Sequence, residues 1–363
     1  MSRSTPLRGV HEALGATLTD FAGWLMPLRY GSESAEHNAV RRAAGLFDLS
    51  HMGEIFVTGP QAAEALDHAL VGHLSALEPG RARYTMIVDT EGGVLDDLIV
   101  YRLAPTEFMV VANASNSPRV AAELIDRAKG FDATAEDRSE RYALIAVQGP
   151  RSAEILAGLT DADLDGLKYY AGLPAVVAGH EALVARTGYT GEDGFELFVA
   201  SEDAEALWCA LSEAGAPHGL IPAGLSARDT LRLEAGMPLY GNELSAGLTP
   251  FDAGLGRVVR FDKPGDFVGR AALEPLRDVP PGRRLVGLVS NGRRVPRRGY
   301  PVVVAADGAV VGEVTSGAPS QSLGRPIAMA YVDNGLASGL AVDIRGSREP
   351  VEVVALPFYR RTQ

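Results

Sequence analysis

At 363 residues, 46% hydrophobic and 22% charged, the chain exceeds what one hydrophobic core usually organises, so two or three domains are expected. A formal charge of −12 and a pI near 5.1 argue against a general nucleic-acid binder, which needs a basic footprint. Cys209 is the only cysteine, which excludes an intrachain disulfide and a cysteine-based metal cluster.

The opening residues Met1 to Leu7 carry no apolar leader, and no run of about 18 apolar residues follows. A soluble, cytoplasmic protein with no membrane partner is expected. His11, His37, His51, His68, His73, His180 and His218 show no ligand spacing, so no dedicated metal site is expected. Thr19 to Leu28 is apolar and aromatic, with Pro27 near its end. Ser34 to Gly45 reads as a helix with Ala35, Ala39, Val40 and Ala43 on one side and a glycine stop. Leu46 to Gly53 alternates apolar with polar, and Glu54 to Thr58 reads as a strand.

That strand runs into Gly59-Pro60, a turn with proline near the first helical position. The same construction returns 90 residues later at Gly149-Pro150, with Val, Ala-Glu and Leu at matching offsets. After each copy a Gly-rich hairpin leads into an acid-bearing strand, Gly92 to Tyr101 in one case and Arg186 to Val199 in the other. A second helix follows each, Pro118 to Lys129 and Ser201 to Gly215. The pattern suggests two related α+β units of the strand-helix-strand-strand-helix-strand kind, against the alternative of a chance likeness between two turns. If the units are related, Asp97 and Glu196 are expected on comparable strands, facing one central cleft.

The stretch Gly92 to Tyr101 places Asp96 and Asp97 inside a run that otherwise reads as a buried strand. Burying a carboxylate is costly, because apolar neighbours cannot replace its hydration. With a side-chain period of two, Asp97, Ile99 and Tyr101 share one face while Asp96, Leu98 and Val100 share the other. At most one acid can then point into a given pocket. The alternative is that one caps the turn and the other sits at a wet strand end.

Cys209 falls in a helical pattern, Ala204 to Leu211, and reads as core filler. From Pro222 to Gly241 a helix carries Leu225, Leu231 and Leu233, with Arg228 and Arg232 one turn apart. The arginine pair reads either as part of a site or as a solvated face neutralised by Asp229. Residues 284 to 363 are short β runs punctuated by Asn291-Gly292, Asp307-Gly308, Ser316-Gly317 and Asn334-Gly335, which suggests a small barrel or sandwich beyond a boundary near 265–283.

Familiar nucleotide and nucleophile motifs are missing. Gly254-Leu255-Gly256 lacks the third glycine of a dinucleotide fingerprint, and neither a Walker-type loop nor a Gly-x-Ser-x-Gly elbow occurs. What remains are polar residues embedded in apolar strands: Asp97, Tyr101, Asn113, Tyr189, Glu196 and Arg228. They suit a planar, polar heterocycle with an acidic tail.

Six blocks carry a family resemblance: Asp20-Phe21-Ala22-Gly23-Trp24, Phe47 to Gly53, Gly92 to Asp97, Arg186 to Glu196, Ala227 to Glu234, and Pro357-Phe358-Tyr359-Arg360. In this order they resemble the aminomethyltransferase (T-protein) family of the glycine cleavage system, over essentially the whole chain. The resemblance implies a three-lobed α+β fold: two related ferredoxin-like α+β units plus a small C-terminal β-barrel. Its expected spans are 1–50 with 140–264, 51–139, and 275–363. It implies tetrahydrofolate as co-substrate in a central channel, with no metal, flavin or nicotinamide. The partner would be a lipoylated H-protein, with other glycine cleavage components met only indirectly.

The family's essential aspartate falls on Asp97. Its folate contacts fall on Met52, Tyr84, Tyr101, Asn113, Tyr189, Glu196 and Arg228, and more loosely on Tyr359, because the family's tails differ. The arginines at 293, 294, 297 and 298 are expected either to steer an acidic H-protein or to form a solvated loop. Relatives of the same architecture supply alternatives. The folate domains of sarcosine and dimethylglycine oxidising enzymes accompany a flavin domain, for which this chain has no room. A non-catalytic iron–sulfur-maintenance folate binder carries a Gly-Cys-Tyr-x-Gly-Gln motif, where Asp266-Phe267-Val268-Gly269-Arg270 has no cysteine. A folate-dependent demethylase of methoxyaromatics shares much of the channel and stays open.

Overall fold

Two Gly-Pro turns set the frame. Gly59 and Gly149 take φ of +130° and +138°, a region closed to ordinary side chains. At each, a Cβ would also come within 2.5 Å of a backbone carbonyl, that of Asp132 and that of Ala43 respectively. The repeated dipeptide therefore marks a repeated backbone constraint. The computed structural model describes residues 2–361.

Strands Arg3–Ser4, Thr17–Phe21 and Trp24–Arg29 form a small N-terminal sheet, followed by a helix at Glu33–Arg42. Then come β1 (Ala44–Asp48), β2 (Gly53–Thr58), α1 (Ala62–Ala69), β3 (Ala82–Val88), β4 (Val94–Ala104), β5 (Glu107–Ala112), α2 (Ser117–Arg127) and β6 (Thr134–Asp137). The second half repeats the scheme with β7 (Tyr142–Gln148), α3 (Ser152–Ala157), β8 (Gly172–Val177), β9 (His180–Ala185), β10 (Gly194–Ala200) and α4 (Ala204–Gly215). It closes with β11 (Leu220–Pro222) and α5 (Leu225–Glu234).

One sheet has the order β3-β4-β5-β2-β6 and the other β8-β9-β10-β7-β1-β11. The blocks β3-β4-β5-β2 and β8-β9-β10-β7 match strand for strand. Each unit thus holds three strands between its helices, one more than expected, because β5 turns back from β4 after only Pro105 and Thr106. Asp97 lies on β4 and Glu196 on β10, the counterpart of β5, so the two acids are not on comparable strands.

The two sheets stack face to face. Ile55 and Val57 of β2 point into one helix-covered core, and Ile145 and Val147 of β7 into the other. The alternate residues Phe56, Leu144 and Ala146 meet between the sheets with Phe47, Tyr101 and Phe198. Both faces of the central strands are buried, so they read as continuous apolar runs. On β4 this geometry sends Asp96, Leu98 and Val100 to the helix side, and Asp97, Ile99 and Tyr101 to the space between the sheets.

A closed six-stranded barrel spans Arg283 to Val354. Ser316-Gly317 is not one of its turns; both residues lie inside the Val310–Ser320 strand, past a bulge at Val314/Ser316. Gly317 is needed there because a Cβ would run into the Pro296 carbonyl. Helix ends also differ from expectation. The Ser34 helix stops at Arg42, and Ala44 and Gly45 belong to β1; the Pro222 helix is confined to Leu225–Glu234 and ends before Gly236, whose φ is +66°. Cys209 is exposed, not core filler, since α4 buries Leu207, Trp208 and Leu211 instead. Among the described residues no helix is long and apolar enough to cross a membrane.

Candidate active site

Between the two sheets lies a cavity of about 750 Å³, within the range of small-molecule pockets. Eight of the nine residues expected from sequence line it: Met52, Tyr84, Asp97, Tyr101, Asn113, Tyr189, Glu196 and Arg228. Tyr359 does not. Its ring lies 4.0 Å from the Arg41 guanidinium, in a cluster where Arg41 pairs with Glu192 at 3.0 Å and Glu234 at 2.8 Å.

Asp97 is positioned by its neighbours on β3 and β5. Tyr84 pairs across the ladder with Ile99, which places its hydroxyl diagonally against Asp97, donating to Oδ2 at 3.0 Å. Asn113, one residue past the end of β5, donates from Nδ2 to Asp97 Oδ1 at 2.9 Å. Burial pushes the Asp97 carboxyl up to about 6, against the pull of those two hydrogen bonds. The acid is thus ionised at neutral pH but within reach of a proton.

Asp96 was expected at a turn or a wet strand end, or simply opposite the pocket. It is fully buried on the helix side, and its carboxyl is pushed up to about 7 by burial and by the charge of Asp97. No sequence signal pointed to its partners Asn113 and Asn116, which lie 17 and 20 residues away.

A second acid sits across the cavity. Glu196 accepts from Thr187 Oγ1 at 2.5 Å, and Thr187 meets the Tyr101 hydroxyl at 2.8 Å. Burial raises the Glu196 pKa, while the hydrogen bond from Thr187 and the Arg228 charge oppose the rise. Arg228 lies 4.8 Å from the centroid of the Tyr189 ring and makes no side-chain hydrogen bond among the described residues. Tyr189 itself is fixed by donating to the Pro238 carbonyl.

The two arginines of α5 therefore separate in role. Both line the cavity, but Arg232 is buried, pairing with Glu243 at 3.0 Å and Asp229 at 2.8 Å and bonding Ser316 of the barrel at 2.7 Å, while the Arg228 guanidinium has no hydrogen-bond partner among the described residues. The pair lines a cavity and is not a solvated face. His51, Tyr170, Tyr240 and Asn242 also line the cavity and were not anticipated. His51 lies within the Phe47 to Gly53 block, yet a lone histidine gives no spacing signal. Burial and the Arg228 charge push it down to about 4, so it is neutral at physiological pH.

The sequence matches the family described as GCVT N-terminal domain over residues 7–263, and the glycine cleavage T-protein C-terminal barrel domain over residues 283–360. The chain belongs to the glycine cleavage T-protein family. Members similar to it include the aminomethyltransferase of Streptomyces coelicolor, 70% identical with 99% of this chain and 98% of that one covered. The aminomethyltransferase of Geobacillus kaustophilus is 44% identical over all of both chains. Among solved structures, the glycine cleavage system aminomethyltransferase T of Bartonella henselae superposes with a TM-score of 0.93, at 36% identity and full coverage of both chains. The T-protein family barrel and the paired α+β sheets are therefore the same architecture in both.

Proposed function

We infer that the protein takes an aminomethyl group from the lipoyl arm of an H-protein, releases ammonia and passes the carbon to tetrahydrofolate as 5,10-methylenetetrahydrofolate. The observation that carries this reading is the convergence of eight family positions on one cavity around a carboxylate raised to about 6. In the balanced reaction the carbon's bonds to sulfur and to the amine break and two bonds to folate nitrogens form. The two N–H protons lost from folate end on ammonia and on the lipoyl sulfur. The carbon does not change oxidation level, so the transfer calls for no flavin or nicotinamide, and none is part of this reading.

The residues fit such a substrate. Asp97 can accept a proton or stand as a fixed negative charge beside a carbon that gains positive character. Arg228, a cation with no carboxylate hydrogen-bonded to it among the described residues, suits an acidic tail. Tyr84, Tyr101 and Tyr189 supply aromatic surface for a flat ring, and Glu196 suits its donor edge, an orienting role. Met52 fills apolar wall. Tyr359 would act only through Arg41.

For the partner, Arg293, Arg294, Arg297 and Arg298 are all exposed on one barrel loop. Arg298 donates to Asn242, a cavity-lining residue, at 2.7 Å, which sets the loop beside the cavity. An acidic H-protein docked there could send its lipoyl arm inward, in a cytoplasmic setting and with other cleavage components met only through it. The test is turnover with aminomethyl-loaded H-protein and tetrahydrofolate, measuring ammonia and methylenetetrahydrofolate together. Equal yields are expected, with rates that fall as salt rises. Turnover of a methoxyaromatic acid in place of H-protein would instead select the demethylase reading.

A further inference from the structure

Asp96 is a buried acid next to Asp97 that the transfer reaction leaves without a task. Its carboxylate accepts three hydrogen bonds: from the Asn113 backbone N–H at 2.9 Å, the Asn113 side-chain amide at 2.8 Å and the Asn116 side-chain amide at 2.7 Å. Three donors converging on one carboxyl favour its ionised form, because a protonated acid gives up acceptor capacity.

The same Asn113 nitrogen reaches Asp97, donating to Oδ1 at 2.9 Å and to the backbone carbonyl at 3.1 Å. Both amide hydrogens are thereby held by the acid pair. Turning the amide over would set its oxygen against two carboxylates. Asn113 Oδ1 receives no protein donor among the described residues, although Asn113 lines the cavity.

We propose that Asp96 is a positioning residue: from the far side of β4, through Asn113, it holds the Asp97 carboxylate in place and fixes Asn113 Oδ1 as an acceptor for an N–H of the bound heterocycle. Asp96 itself touches no substrate. The proposal rests on the reading of Asp97 as the acid of the transfer reaction.

The titratable and charged groups around the pair are Tyr84 on β3, Tyr170, Tyr189, Tyr240 and Glu243, with Arg232 beside Tyr189 and Arg119 beside Tyr240. The tyrosines are raised above their ordinary value and Glu243 is paired with Arg232. Asp97, raised to about 6, and Asp96, raised to about 7, both change charge between about pH 5 and 8.

The experiment is the pH dependence of kcat/KM for tetrahydrofolate in the full chain. If both acids must be ionised, log kcat/KM of the wild type falls with a slope of about two on the acid side. Asn116→Ala removes one donor from ionised Asp96 without reaching Asp97 or the ligand, and should move the acid limb up by roughly 0.5–1 pH unit. Asp96→Asn should lower kcat by about tenfold or more and leave a slope near one. A wild-type slope of one, or an Asn116→Ala profile superimposable on the wild type, overturns the proposal, and neither result depends on Asp96→Asn folding. Failure of the underlying reading would look different: Asp97→Asn would turn over like the wild type.

Discussion

Replacing Asp97 by Asn tests chemistry and stability in one variant. The new amide can direct its oxygen to Asn113 Nδ2 and its nitrogen to the Tyr84 hydroxyl, which then accepts, so the local frame need not move. It cannot take a proton and carries no charge. Turnover should fall by about 100-fold or more, roughly 2.7 kcal/mol of barrier, with tetrahydrofolate binding retained. The share of the acid-side fall of kcat/KM that belongs to Asp97, near 6, should go with it, leaving the single slope of Asp96.

Stability should move the other way. In the folded chain the carboxyl is raised from 3.8 to about 6. A raised acid costs nothing where both states hold the proton. Its penalty grows as pH climbs from about 4 through about 6 and is then constant, at about 2–3 kcal/mol from roughly 1.4 kcal/mol per unit. The variant should therefore melt later than the wild type at about pH 8 and alike at about pH 4. Steady-state ammonia release and thermal melts at the two pH values give both readouts. Turnover within about tenfold of wild type with an unchanged acid limb would refute the catalytic argument; equal melts at high pH would refute the electrostatic one.

Arg228→Gln removes from the cavity a cation that has no carboxylate partner among the described residues. The loss of one charged hydrogen bond, about 1.5–3 kcal/mol, should raise KM for tetrahydrofolate by about 10–150-fold with kcat little changed, and an unaltered KM would dismiss Arg228 from tail recognition. Glu243→Ala leaves Arg232 buried without its carboxylate and should cost about 3–5 kcal/mol in a urea titration, a loss under about 1 kcal/mol showing that Asp229 suffices. Gly317→Ala drives a Cβ into the Pro296 carbonyl and should destabilise the barrel by about 1–3 kcal/mol, so an unchanged melt would mean the Pro296 loop yields freely.

What could be read in advance depended on the range of the forces involved. Gly59 and Gly149 announced themselves because their constraint is local to one peptide unit. The face of Asp97 was legible because a strand's alternation is as local as its own residues. The pairing of Asp97 with Tyr84 and Asn113 was not, since it arises from ladder registers between separate strands. The same gap hid the task of Asp96. Counting strands failed where β5 follows a two-residue turn, and this displaced Glu196 from its true counterpart position. Cys209 was misplaced because Trp208 and Leu211 centre the apolar stripe of α4, leaving their neighbour on the wet flank. Tyr359 lies in a tail with no periodicity to orient it.

Helix α5 has two clients. Ser226, Arg228 and Arg232 belong to the cavity wall, and Arg232 and Glu234 also reach Ser316, Ser320 and Ser322 of the barrel. A rigid rod ten residues long transmits what one end feels to the other. Filling the cavity should thus slow hydrogen exchange in the barrel strand carrying Ser316, which is hydrogen-bonded to the cavity-lining Arg232 and Asn242, and this makes the barrel a reporter of occupancy.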